Sequence, residues 1–144
     1  NKIRTDRMKR MNSNFHYIVR GIIRDGDSVL LCKQKTGDYT FLPGGHIDFG
    51  EAAEVALIRE IKEEISVNLI PNSIQYVETF SAPADGKSSD TIVKLTCYFA
   101  DFKGELCPDA EIEEIDFIGY ENRALCSLGS IKVMEWLKNQ QLMS

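Results

Sequence analysis

Residues 15–24 (F-H-Y-I-V-R-G-I-I-R) mix aromatic and β-branched side chains with polar ones, the composition of a pleated, half-buried strand. Asp25-Gly26-Asp27 then supplies a turn, and the apolar run resumes at residues 28–32, so the pattern predicts a β-hairpin. Residues 33–39 read as a loop around Gly37, residues 40–42 as a short strand, and Pro43-Gly44-Gly45 as a forced bend. Residues 51–65 contain no Gly or Pro and are rich in Ala, Glu, Ile and Leu, which predicts a helix. Two further strands follow, at 73–82 and 91–102, joined by a polar loop at 83–90. Lys103-Gly104 turns the chain, residues 114–118 form another strand, and residues 130–139 a closing helix. Its Ile131, Met134, Trp136 and Leu137 fall at near-helical spacing and form a core-docking face.

A chain of 144 residues has the length of one domain, and no repeat, low-complexity tract or linker divides it. Its 43% hydrophobic and 27% charged residues are ordinary for a globular protein, and its apolar runs are strand-sized. This argues against a disordered tail, a collagenous repeat and a membrane span. Seventeen Lys and Arg against twenty-two Asp and Glu leave a net charge of −5, which argues against a basic footprint for duplex nucleic acid. An anionic substrate would need another means of capture, and a bound metal is one. Cys32, Cys97, Cys107 and Cys126 form no C-x-x-C pair and read as reduced thiols of a cytoplasmic protein. His16 and His46 lie at no ligand spacing from a cysteine, which argues against zinc. Residues 1–13, with Lys2, Arg4, Arg7, Lys9 and Arg10, read as a frayed basic leader, or as a contact for RNA or phosphate, ahead of one domain at 14–144.

Projected at about 100° per residue, the helix at 51–65 separates into two arcs. Leu57, Ile58, Ile61 and Ile65 form a core-facing stripe. Glu60, Glu63 and Glu64 share another side with Ala53 and Ala56. Like charges three and four residues apart repel, so this face opposes helix stability unless a cation sits among the carboxylates. Oxygen ligands suit magnesium or manganese better than zinc or copper. A solvated acidic surface with Lys62 as counterion is the other account. The Pro43-Gly44-Gly45 loop favours the first, because glycine backbone can approach an ion or a phosphate closely.

Gly45, five residues, Glu51, seven residues, then Arg59-Glu60-Ile61-Lys62-Glu63-Glu64-Ile65-Ser66-Val67 resembles the box motif of the Nudix hydrolase family, with Ser66 where that motif ends in glycine. A serine in a left-handed helix end costs roughly 1 kcal/mol, so a local adjustment is expected there, with Asn68 taking the left-handed role. The resemblance implies an α/β/α sandwich with a mixed sheet. It also implies a magnesium-dependent hydrolase, manganese being the alternative ion, that splits a nucleoside diphosphate linked to another group. Glu60, Glu63 and Glu64 would hold the ion with the carbonyl of Gly44, Glu63 or Glu64 would act as general base, and Arg59 and Glu51 would orient loop and helix beside Gly45. A non-catalytic nucleotide sensor on the same fold is the competing class.

The resemblance also implies a further acid from beyond the box, the candidates being Glu111, Glu113, Glu114 and Asp116, with Glu114 carried forward as a substrate-side contact. Arg20, Arg24, Lys33 and Lys35 can reach phosphates, and Tyr17, Tyr39 and Phe41 can stack a base. His16 and His46 are read as structural or incidental. Pro83 lies sixteen residues past the box, where ADP-ribose-cleaving relatives often carry proline. A homodimer through exposed strand edges is compatible with the pattern.

Overall fold

The computed structural model describes residues 15–84 and 90–144. The basic leader and the centre of the polar 83–90 loop lie outside the described residues. Strands β1 (Phe15–Ile22), β2 (Arg24–Asp25), β3 (Ser28–Gln34), β4 (Thr40–Phe41) and β5 (Gly44–His46) precede helix α1 (Ala53–Ile65). Then come β6 (Asn68–Leu69), a 3-10 turn (Pro71–Ser73), β7 (Gln75–Pro83), β8 (Ile92–Phe99), β9 (Phe102–Lys103) and β10 (Ile112–Ile118). A 3-10 segment (Tyr120–Leu125) leads into helix α2 (Leu128–Asn139).

One sheet runs β5-β1-β8-β7, with β1 and β8 parallel and the other pairs antiparallel. A second runs β10-β3-β2 with β4 beside β3, and β6 pairs with β9. The expected hairpin at residues 15–32 is therefore only partly formed. β2 and β3 make the turn, pairing Arg24 with Val29, but β1 belongs to the other sheet. The chain changes sheets at Ile23, whose carbonyl accepts from the Leu30 amide at 2.9 Å. An unbroken apolar run conceals such a crossing, since each segment alone has strand composition.

Because side chains alternate across a strand, neighbours in β1 and β3 go to opposite layers. Ile18, Ile22 and Leu31 join Leu42, Leu95, Val133, Met134 and Leu137 in a core under α2. Val19, Ile23 and Leu30 join Leu57, Ile61, Ile65 and Tyr98 in a core under α1. Helices thus cover both faces, giving the expected mixed α/β sandwich. No helix among the described residues is long and apolar enough to cross a membrane. All four cysteines are free thiols, and only Cys107 is exposed.

Candidate active site

The site begins at a strand that the sequence pattern reads as a bend. Gly44 and Gly45 are not a turn but the start of β5, paired antiparallel with Arg20 and Val19 of β1. Gly44 has φ +144°, and a Cβ there would stand 1.9 Å from the Val19 carbonyl oxygen, so no side chain can be accommodated. A Cβ on Gly45 would stand 2.5 Å from the carboxyl group of Glu60. The two glycines let α1 bring its carboxylates against bare backbone.

α1 is docked more deeply than two separate arcs suggest. Ala56, Leu57, Ile61 and Ile65 are all buried, and Glu60 and Glu64 project within that buried sector. Glu63 does not; its side chain is 56% exposed. Glu64 Oε1 accepts from the Gly44 amide at 2.9 Å. Burial is the main influence on Glu64, pushing its pKa up to about 7 against the opposing pull of that amide and of Arg20.

Arg59 ties the helix to the loop before it. Its Nε and Nη2 donate to both carboxylate oxygens of Glu51 at 3.0 and 2.9 Å, and Nη1 donates to Glu60 at 2.9 Å. Asp48 lies 3.5 Å and Glu63 3.7 Å from the same guanidinium. Hydrogen bonds from Arg59 hold Glu51 below the usual carboxylate range, and Glu51 in turn raises the pKa of Arg59. This planar fork matched to a carboxylate is the geometry arginine makes best.

Glu60 and Glu64 form one wall of a cavity of about 410 Å³. Arg20, Phe41, Gly44 and Gly45 also line it, as do Tyr39, His46 and Pro83. Of the four acids considered beyond the box, Glu111 lines the cavity; Glu114, paired with Lys33 across β10 and β3, does not. Neither Lys33 nor Lys35 lines it, although the Lys35 amide donates to the Glu111 carbonyl at 3.0 Å and so fixes that backbone. Tyr17 stacks on Phe15 away from the cavity, and Arg24 donates to the Leu142 carbonyl.

Three comparisons with known proteins bear on this arrangement. The NUDIX domain profile matches residues 14–137. The chain belongs to the NUDIX family. The ADP-ribose pyrophosphatase of Methanocaldococcus jannaschii is 32% identical over 107 residues, 72% of this chain. The match spans 62% of that relative's length. Among solved structures, the E. coli ORF135 protein has a TM-score of 0.70 at 20% identity, covering 89% of this chain and 91% of its own. The MutT NUDIX hydrolase from Burkholderia pseudomallei has a TM-score of 0.64 at 22% identity, covering 74% and 84%. At such identities these two establish the fold alone.

Within this NUDIX domain, Ser66 departs from expectation in an instructive way. It takes the left-handed conformation itself, at φ 69° and ψ 13°, while Asn68 begins β6. Its hydroxyl donates to the Cys107 carbonyl at 3.0 Å, and the Cys107 and Asp109 amides donate to the carbonyls of Ile65 and Glu64. The end of α1 is thereby capped by the segment that leads to Glu111. Ala110, at φ 52°, makes the turn before it.

The donor set suits a hard divalent ion: carboxylates on one helical turn, bare glycine backbone beside them, and a half-buried Glu64 that forms no ion pair among the described residues. A Cβ at Gly45 would fill the space that the Glu60 carboxyl uses. Among the described residues no three Asp, Glu, His or Cys side chains already converge as a cage. Glu60 is turned to Arg59 and Glu64 to the Gly44 amide.

The sequence reading missed the part of the lining that α2 contributes. Ser127, Gly129 and Ser130 face the cavity; the Ser127 hydroxyl accepts from the Ser130 amide at 3.3 Å, and Ser130 Oγ accepts from the Leu42 amide at 3.1 Å. Ser127 is an ordinary helix N-cap, and that was its only local signal. His46, read as structural or incidental, lines the cavity, and burial lowers its pKa.

Proposed function

We propose that this NUDIX domain is a divalent-metal-dependent diphosphatase that cleaves a nucleoside diphosphate linked to a further group, with ADP-ribose-like nucleotide sugars as the leading class. The observation that carries it is the entry of Glu60 and Glu64, from one turn of α1, past the Gly44-Gly45 strand into a cavity of about 410 Å³. That volume accommodates a nucleotide-sized ligand. The name of the Methanocaldococcus relative supports the substrate class.

Glu60 and Glu64, with Glu63 and the Gly44 carbonyl, would hold magnesium or manganese. Such an ion, when bound, supplies positive charge to the phosphate oxygens and acidifies a water. The chain's own groups do the rest. Arg59 keeps Glu60 and Glu51 in place, and the Gly44 amide orients Glu64. Glu111 supplies the acid from beyond the box. The proton released by the attacking water goes to this set of carboxylates, which titrate together. Water adds to phosphorus, the bridging P–O bond breaks, and two phosphate monoesters leave. The free thiols are consistent with a reducing compartment such as the cytoplasm.

The test is product release from ADP-ribose, nucleoside triphosphates, 8-oxo-dGTP, dinucleoside polyphosphates and NADH, with magnesium, manganese or EDTA. Cleavage of ADP-ribose to AMP and ribose 5-phosphate, abolished by EDTA, is the expected result. Cleavage of another compound alone would move the substrate class. No cleavage of any, with nucleotide binding retained, would leave a sensor in place of an enzyme.

A further inference from the structure

Arg20 is the one cationic side chain among the residues lining the cavity, and among the described residues it makes no hydrogen bond or ion pair. It is half-buried, and its guanidinium carbon lies 5.0 Å from the centre of the Phe41 ring. Burial lowers its pKa, with Glu64 and Glu60 acting in the opposite direction through their fields only. A half-buried cation with no contacting partner is a cost to the fold unless something else completes it. Its packing over an aromatic face holds the guanidinium in position and leaves its N–H donors for a ligand.

The strands say which part of a ligand that would be. Arg20 sits between Gly44 of β5 and Cys97 of β8, so it stands beside the glycine that holds Glu64. Two residues back along the strands, about 7 Å away, the cavity surface becomes Ile18 and Leu95, and beyond them Val93. The cavity is therefore charged at the Arg20 end and apolar along Ile18, Leu95 and Val93, with His46 of β5 beside Ile18.

We propose that Arg20 is a specificity residue for the diphosphate, its guanidinium donating to phosphate oxygens so that the rest of the substrate lies along Ile18 and Leu95. This rests on the diphosphatase reading above. The arginine fork matters as well as the charge, because lysine presents a point charge without the paired donors.

Calorimetric titration with methylenediphosphonate, a non-hydrolysable P–C–P diphosphate, in the presence of magnesium tests the proposal. In Arg20→Met the dissociation constant should rise at least tenfold while the ligand-free melting temperature stays within a few degrees of wild type, since no protein partner is orphaned. Arg20→Lys should fall between the two. Equal binding by wild type and Arg20→Met would overturn the assignment and leave the diphosphatase reading standing. Should Arg20→Met fail to fold, Arg20→Lys decides, and its binding as wild type would overturn the role of the fork. A wild-type protein that neither binds the diphosphonate nor cleaves any compound of the panel would remove both.

Discussion

Arg59 and Arg20 both meet β5, and their surroundings are opposite. Arg59 reaches the His46 carbonyl and is surrounded by Glu51, Glu60, Asp48 and Glu63. Arg20 is paired through its backbone with Gly44, and its guanidinium packs on the Phe41 ring and makes no hydrogen bond or ion pair among the described residues. Carboxylates raise the pKa of the first; burial lowers that of the second. A cation already matched by carboxylates belongs to the scaffold, because its donors are used. One left unmatched at a cavity wall has donors to give, and on the proposal above the contrast separates the residues that hold the site from the one that would meet a ligand.

The strongest way to break that contrast is to remove the acids facing the cavity. Glu64→Gln and Glu60→Gln should each lower kcat on the order of 10²–10³-fold, with circular dichroism unchanged. Glu63→Gln should cost less, because its side chain is 56% exposed and outside the cavity lining. Equal losses for all three would mean that Glu63 turns inward during turnover and that its exposed position misstates its role.

The glycines come next. Gly44→Ala sets a Cβ against the Val19 backbone, which cannot yield, so loss of the folded state in thermal melts is the expected outcome. Gly45→Ala meets only the flexible end of Glu60, so the protein should melt within a few degrees of wild type while activity falls on the order of tenfold or more. Retained full activity in a folded Gly45→Ala protein would show that the position of the Glu60 carboxyl is not critical.

The same contrast explains what the sequence could reveal. Glu51, Arg59, Glu60 and Gly45 are readable because they satisfy one another within a short stretch of chain, at spacings a helix and its preceding loop impose. Arg20 carries no such internal partner, so in sequence it looked no different from Lys33 or Lys35, which do not line the cavity. Glu111 lines the cavity and Glu114 does not, and the Lys35 amide that fixes the Glu111 backbone is a contact between segments far apart in the chain. The crossing at Ile23 and the strand made by Gly44 and Gly45 were hidden for a similar reason: pairing with β1, β3 and β8 decides them, and local propensity does not.

Arg59→Met sharpens the scaffold side of the contrast through pH. Glu51 has its folded pKa lowered from 4.5, first by the hydrogen bonds from Arg59. A depressed carboxylate stabilises the fold above its unfolded pKa, and that contribution is lost as pH falls through the lower folded value. In EDTA, wild type should therefore melt above Arg59→Met at neutral pH, and the gap should narrow as pH falls below 4.5 through the lower folded value of Glu51. A constant gap across the range would assign the effect of Arg59 to packing alone.

The smallest effect belongs to Ser66, where two terms of similar size oppose. Its left-handed backbone costs roughly 1 kcal/mol that glycine would recover, and its exposed hydroxyl bond to the Cys107 carbonyl contributes about 0.5–1 kcal/mol that glycine would lose. Ser66→Gly should therefore lie within about 1 kcal/mol of wild type in urea unfolding, whereas Ser66→Ala keeps the strain, loses the bond and should be the least stable of the three. If Ser66→Ala matches wild type, the hydroxyl tie is without weight, and the segment carrying Glu111 is held to α1 by the Cys107 and Asp109 amides and by the packing of Leu106 and Ile112.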